Sequence, residues 1–212
     1  MIKAIIFDLD GTLLNTISDL NNSINKTYKA LNVDKENTED ITMAMVGHGI
    51  HNLIEQCFPT NLVEEAYKTF LEIYDKEYDK NTIPYKDIKK LIDTLIEKDI
   101  KVGVNSNKND LYTKHLIEIH FPSINQDYVL GHIDNMKVKP DPEGVNLLIK
   151  KMDVTKEETI YVGDSPTDIK TADNAGIDVL SVTWGFRSKK QLIEANAKHL
   201  IDNPKEILDF IC

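Results

Sequence analysis

The apolar positions of this chain follow two regimes. Near the start they run together: Ile2, Ala4, Ile5, Ile6 and Phe7 form an almost unbroken stretch, the pattern of a parallel strand covered on both faces. Between residues 16 and 82 they recur every three or four positions instead. Ile17, Leu20, Ile24, Tyr28 and Leu31 predict a helix over 16–31, and a short helix is expected over 38–45. Gly47-His48-Gly49 interrupts the pattern, Ile50, Leu53, Ile54 and Cys57 predict a third helix, and Pro59 ends it. Asn61, with Glu64 three residues on, reads as the cap of a long helix carrying Val63, Ala66, Tyr67, Phe70, Leu71 and Tyr74. No strand is predicted within 16–82.

From residue 84 onward short apolar runs alternate with helical spacing. Pro84-Tyr85 is expected to open a helix with Ile88, Leu91, Ile92, Leu95 and Ile96 inward. A strand over 100–105, a helix over 109–120 and a short strand over 128–130 follow. Asp141-Pro142 reads as a helix start, Asp as N-cap and Pro at the first helical position. A strand over 159–163, a helix ending at Gly176, a strand over 178–183, a helix near 189–195, a strand over 199–201 and a last helix over 204–211 complete the chain. Strand and helix alternating in this way predict a parallel α/β sheet. The helical block interrupts it, so residues 1–15 and 83–212 are expected to form the core. Residues 16–82 are read as an inserted helical lid over the strand ends, with hinges near 14–17 and 80–84. The simpler reading packs these helices on the sheet, but five strands in succession after residue 82 favour an insertion.

Composition narrows the function. A chain of 212 residues can hold one well-cored domain with an insertion. A formal charge of −10 argues against a nucleic-acid surface, which needs a cationic footprint. It leaves room for a small phosphate ligand, because a metal ion and one or two lysines reverse the sign locally. No stretch has the length and apolarity of a membrane span, the start lacks a signal-peptide pattern, and the fold is expected to begin directly at residue 2. Cys57 and Cys212 have no metal-ligand spacing and offer at most one bridge, so a reduced cytoplasmic setting is expected.

Four polar clusters stand out. Asp8 and Asp10 follow the first strand, with Gly11 turning the backbone away. Ser106-Asn107-Lys108 follows the strand ending near 105, Lys139-Pro140-Asp141-Pro142 leads into a helix, and Gly163-Asp164-Ser165-Pro166-Thr167-Asp168 follows the strand before it. Parallel strands put their C-termini on one side, where ligands bind in open α/β sheets. Carboxylates gathered there suit a hard cation such as Mg²⁺, which bridges to phosphate. A hydroxyl and backbone amides can bind phosphoryl oxygens, and a lysine offsets charge during transfer. Two carboxylates two residues apart can divide the labour: one attacks phosphorus, the other protonates the leaving oxygen and later takes a proton from water. Singly, each motif has a structural explanation: Asp-Gly turns are common, Ser106 can cap a helix, Asp164 and Asp168 suit a helix start, and Lys139 can be a solvated lysine. None of these explains all four in order.

The ordered set resembles the four motifs of the haloacid dehalogenase-like hydrolases, and the likeness spans the chain. The resemblance implies a Rossmann-like core with an inserted all-α cap, and a Mg²⁺-dependent phosphatase working through an aspartyl-phosphate. It implies Asp8 as nucleophile and metal ligand, and Asp10 as general acid/base with its backbone carbonyl on the metal. Ser106, with the amide of Asn107, would bind the phosphoryl group, and Lys139 would steady Asp8 and the phosphate. Asp164 would be a metal ligand, and Asp168 a ligand acting directly or through water. Thr12, in place of Val, points to a phosphatase rather than a mutase. The insertion is similar to the cap of the phosphoglycolate phosphatase-like branch. There Met45-Val46-Gly47-His48-Gly49-Ile50 resembles the cap loop, which puts Gly47 and His48 at the substrate. Asn15, where relatives often carry an acid, and Asn109, where they often carry Pro, depart from the pattern without touching the chemistry.

The expected partner is a small phosphorylated metabolite, with 2-phosphoglycolate as lead, acting on a monomer or homodimer with no nucleic acid or membrane involved. A pyrophosphatase or sugar-phosphate phosphatase stays open, as does a phosphoryl-accepting signalling module. Receiver-type modules usually lack a carboxylate at the position of Asp10. A metal site at His48 and His51 is set aside because no acid or thiol partner is evident. Trp184 is expected to pack in the core or toward the cap.

Overall fold

Ala4–Phe7 forms β1, and every one of its side chains is buried, as the apolar run requires. In the computed structural model, which describes residues 1–211, the chain then passes through β2 (Leu14–Asn15), α1 (Ile17–Ala30), α2 (Glu39–Met45), α3 (Ile50–Cys57), α4 (Val63–Tyr74) and β3 (Ile83–Pro84). It continues through α5 (Ile88–Glu97), β4 (Lys101–Asn109), α6 (Asp110–His120), β5 (Val129–His132), α7 (Glu143–Lys151), β6 (Thr159–Gly163), α8 (Pro166–Ala175), β7 (Asp178–Val182), α9 (Lys189–Glu194) and β8 (His199–Ile201). Cys212 lies outside the described residues, and with it any pairing of the two cysteines. Cys57 is buried, and it forms no disulfide among the described residues.

Contacts divide the chain into two compact units. The first joins Met1–Leu14 to the stretch from Pro84 onward, and the second is Asn15–Ile83. The first unit is a Rossmann-like α/β fold: a six-stranded sheet in the order β5-β4-β1-β6-β7-β8, parallel throughout. The chain builds outward from β1 through β4 to β5, then returns to the other side of β1 with β6. That reversal is a topological switch point, where the strand ends leave a crevice. One face of the sheet buries Ala4, Ile6, Tyr161 and Val179 against Val145 and Leu148 of α7, Met152 just after it, and Ile169, Ala172 and Ala175 of α8. Among the described residues no helix is long and apolar enough to cross a membrane.

The second unit is helical. α1 packs on α4 and α2, and α3 packs on α4. Ile24, Tyr28, Ile54, Ala66, Phe70 and Tyr74 form its interior, with Phe70 stacked on Tyr74 at 5.2 Å between centroids. A buried carboxylate fastens the start of α1 to the end of the unit. Asp19 accepts from the Asn81 N–H at 2.9 Å, from Asn81 Nδ2 at 2.8 Å and from Thr82 Oγ1 at 2.9 Å. In sequence Asp19 is only an acid in a first helical turn. Asp19→Ala leaves three donors without their charged acceptor, and it is expected to cost about 3 kcal/mol, read as a lowered urea midpoint of the helical circular dichroism signal.

Several boundaries differ from the sequence reading, each for a local reason. Asn61 does not cap α4: Thr60–Leu62 form a 3-10 turn, and Leu62 stands at the cap position with no side-chain bond. Pro84 lies in β3, and α5 starts only at Ile88, after Asp87 takes a left-handed φ of 63°. Ile96 is half-buried rather than inward. Pro142 holds the cap position of α7, while the Asp141 carboxylate, one place earlier, accepts from the Glu143 N–H at 3.0 Å. Pro204–Phe210 is a 3-10 helix. The strand expected to stop near 105 runs to Asn109 with a register shift between Asn105 and Asn109.

Candidate active site

The register of the three central strands assembles the site. Phe7 faces Val104 of β4 and Val162 of β6, and the Asp8 N–H donates to the Val162 carbonyl at 2.8 Å. The residues that follow each strand therefore emerge side by side at the switch point. There Asp8, Asp164 and Asp168 converge, each offering an oxygen within 4.8 Å of the others, and all three are buried.

Lys139 is the buried cation of this cluster. Its Nζ lies 2.7 Å from Asp8 Oδ1 and 2.8 Å from Asp168 Oδ1, and it donates to the Tyr161 hydroxyl at 3.2 Å. Burial works against its charge, but Asp168 and Asp8 overcome that and hold the ammonium well above its ordinary range. Its backbone is clamped by Asn107, whose Oδ1 accepts from the Lys139 N–H at 2.7 Å and whose Nδ2 donates to the Lys139 carbonyl at 3.1 Å. The Asn107 side chain thus places Lys139.

The carboxylates differ in their partners. Asp8 Oδ1 also accepts the Leu9 N–H at 2.7 Å. Asp168 closes a capping box on Ser165, taking the Ser165 N–H at 3.0 Å and its hydroxyl at 2.5 Å on Oδ2. With Lys139 on its other oxygen, Asp168 is well supplied with donors. Asp164 accepts the Phe186 N–H at 2.6 Å and the Thr12 hydroxyl at 3.4 Å. Burial first, and Asp168 second, push Asp164 up to about 7, against the pull of the Phe186 N–H and Arg187. Burial and Asp168 also raise Asp8 well above the usual carboxylate range, with Lys139 opposing. Set against one lysine, three buried carboxylates are short of positive charge. An all-oxygen donor set of this kind fits a hard divalent cation.

Asp10 stands apart from the three. Its carboxylate is held by Lys108, whose Nζ lies 3.0 and 3.1 Å from its two oxygens. Ser106 is buried beside them, its hydroxyl accepting the Lys108 N–H at 3.1 Å. Gly47 and His48 belong to the second unit, between α2 and α3. Gly47 has a φ of 129° and His48 is exposed. His51 does have acidic neighbours, contrary to expectation: Glu55 at 3.5 Å and Glu64 at 3.6 Å, all exposed.

A family model described as haloacid dehalogenase-like hydrolase matches residues 5–182, which takes in all four polar motifs. The chain belongs to the haloacid dehalogenase-like hydrolases. A relative from Clostridium perfringens, assigned provisionally as pyrophosphatase PpaX, is 31% identical over 100% of this hydrolase and 98% of its own length. A phosphoglycolate phosphatase from Photobacterium profundum is 28% identical over 99% and 96% of the two chains. The crystal structure of a provisionally assigned phosphoglycolate phosphatase from Lactobacillus delbrueckii subsp. bulgaricus superposes with a TM-score of 0.92. It is 27% identical and covers 99% of this hydrolase and 98% of that chain.

Some of the hydrolase's site residues escape sequence reasoning. Lys108 stood inside a motif but had no assigned partner, because its pairing with Asp10 exists only once β1 and β4 are adjacent. Tyr161 reads as a strand residue; its hydroxyl donates to the Asn105 carbonyl at 3.2 Å and accepts a hydrogen bond from Lys139 Nζ at 3.2 Å. Gly185 carries no sequence signal at all. A Cβ there would sit 2.3 Å from both Asp164 Cβ and the Gly11 carbonyl, so the backbone closes on Asp164 only because the position is glycine. Trp184, next to it, donates its indole N–H to the Thr12 carbonyl at 3.1 Å. Gly185→Ala must displace Asp164, and turnover of whichever phosphate substrate is used is expected to fall about 100-fold, measured as phosphate release at saturating substrate.

Proposed function

We propose that the hydrolase is a divalent-cation-dependent phosphatase of small phosphomonoesters, acting through an aspartyl-phosphate on Asp8. The observation that carries this is a division between two carboxylates on one short segment. Asp8 is buried in the acid cluster with Lys139 on its Oδ1, whereas Asp10, two residues on, is held outside that cluster by Lys108. A nucleophile and a proton carrier need such different surroundings.

In the proposed reaction an oxygen of the Asp8 carboxylate bonds to phosphorus. The bond from phosphorus to the leaving oxygen breaks, and that oxygen takes its proton from the Asp10 carboxyl. In the second half Asp10, now a carboxylate, takes a proton from water as the water oxygen bonds to phosphorus. The bond to Asp8 breaks, releasing phosphate and restoring both groups. Lys139 holds Asp8 in line and offsets charge on the phosphoryl group, and Ser106 with the Asn107 amide receives its oxygens. Asp8, Asp164 and the backbone carbonyl of Asp10 would hold the cation, with Asp168 supporting it. When bound, Mg²⁺ would neutralise these carboxylates and the phosphoryl charge. Thr12, Gly47 and His48 are assigned to the substrate, and the helical unit is assigned the role of a cap that excludes water during transfer.

The lead substrate is 2-phosphoglycolate, supported by the Photobacterium relative and the Lactobacillus structure. Pyrophosphate is the second reading, supported by the Clostridium relative. The test is phosphate release with Mg²⁺ from phosphoglycolate, pyrophosphate, sugar phosphates and nucleotides. A preference of about 100-fold in kcat/KM for phosphoglycolate is expected. The same preference for pyrophosphate favours the second reading. A stable phosphoprotein with no release from any of them would favour the signalling module.

A further inference from the structure

The reaction above gives Lys108 no step of its own, yet its ion pair with Asp10 is specific in construction. The Lys108 side chain is 3% exposed and that of Asp10 15%. The ammonium spans both carboxylate oxygens, at 3.0 and 3.1 Å, so it fixes the plane of the carboxyl group as well as its position. Its own backbone is set by the irregular end of β4, where the register shifts between Asn105 and Asn109. The Lys108 N–H is bonded to the Ser106 hydroxyl, and its carbonyl accepts from the Thr113 hydroxyl of α6 at 3.2 Å. Asp10 itself lies on the turn after β1, where the segment bends at Gly11 with a φ of 90°. A short carboxylate on a turn can rotate. A lysine anchored from the neighbouring strand limits that rotation.

We infer that Lys108 is a positioning residue for proton transfer: it aims the Asp10 carboxyl group at the leaving-group oxygen. This rests on the proposed phosphatase reaction. It separates from a merely structural role because proton delivery matters only when the leaving group needs it. An alkoxide cannot depart unprotonated, whereas 2,4-dinitrophenolate can. Because kcat/KM reports steps up to departure of the leaving group, it isolates the transfer half from later attack by water.

The experiment compares kcat/KM for 2-phosphoglycolate, or the alkyl phosphomonoester turned over fastest in the panel above, with kcat/KM for 2,4-dinitrophenyl phosphate. Lys108→Met is expected to lower the alkyl value about 100-fold, within the range that general acid catalysis supplies. The dinitrophenyl value is expected to stay within about threefold of the unaltered enzyme. Asp10→Asn should show the same selectivity, more strongly. Lys108→Arg keeps a cation able to span the carboxylate, and should retain the alkyl activity within about tenfold. This variant carries the test should the Met variant not fold.

Equal losses on both substrates for Lys108→Met and Lys108→Arg would overturn the inference and assign Lys108 to phosphoryl binding or to the fold. No loss on either would overturn it as well. If Asp10→Asn itself lacks selectivity while Asp8→Asn is inactive, the role of Asp10 falls and the inference with it. Activity persisting in Asp8→Asn would instead overturn the phosphatase reading.

Discussion

Asp8→Asn should abolish phosphate release, by at least about 10⁴-fold, as loss of a nucleophile does elsewhere, while leaving the fold intact. The two halves of this expectation have separate causes. The amide cannot form an acyl-phosphate, so no compensating route runs through position 8. The substitution is nearly isosteric, and the Leu9 N–H and the Lys139 ammonium, which meet the same oxygen of Asp8 at 2.7 Å each, can still donate to an amide oxygen. It also removes one of three clustered negative charges. The melting temperature should therefore stay within a few degrees of the unaltered protein, or rise. Thermal unfolding followed by circular dichroism, beside the phosphate assay, checks both.

Lys139→Met, unlike Asp8→Asn, should damage stability as well as turnover. Lys139 is buried between Asp8 and Asp168, and among the described residues no other lysine or arginine forms a salt bridge to either carboxylate. Methionine fills a similar volume and brings no charge. Removing one partner of a buried pair leaves uncompensated charge and costs about 3–5 kcal/mol, which should appear as a lower urea midpoint. Turnover should fall at least about 100-fold, because the charge offset at the phosphoryl group is lost with the ammonium. Added Mg²⁺ should recover part of the stability, since the cation supplies charge to the same carboxylates. It should recover little activity, since Asp8 is no longer held.

The contrast between these two positions also shows what a sequence can disclose. Asp8, Ser106 and Asp164 were legible as candidates because the fold puts motif and strand end in the same place: a continuous apolar run announces a parallel strand, and polar residues directly after it fall at the sheet's functional edge; Lys139, which follows no strand directly, was legible only through the order of the four motifs. The family and the parallel α/β core followed from that order, and spacing by three and four gave the helices of residues 17–74. Failures came where a local signal was outvoted. Asn61 and Glu64 look like a cap and its partner, yet a 3-10 turn precedes α4. Asp141-Pro142 looks like an ideal start, yet the helix begins one residue later. What could not be read were demands created only by tertiary approach. Gly185 is required by a backbone 2.3 Å from where its Cβ would be. Asp19 is required by donors 62 residues away, and Lys108 by an acid 98 residues away. Local pattern carries no trace of a partner that distant.

The central claim is that the phosphoryl group passes through Asp8. The most direct measurement is a rapid acid quench during turnover with Mg²⁺ and 2,4-dinitrophenyl phosphate, followed by borohydride reduction and peptide mapping. An acyl-phosphate is reduced to the alcohol, so homoserine at position 8 is the expected result, absent without substrate and absent in Asp8→Asn. Phosphate release with no homoserine anywhere, or with homoserine at position 10, 164 or 168 in place of 8, would contradict the account.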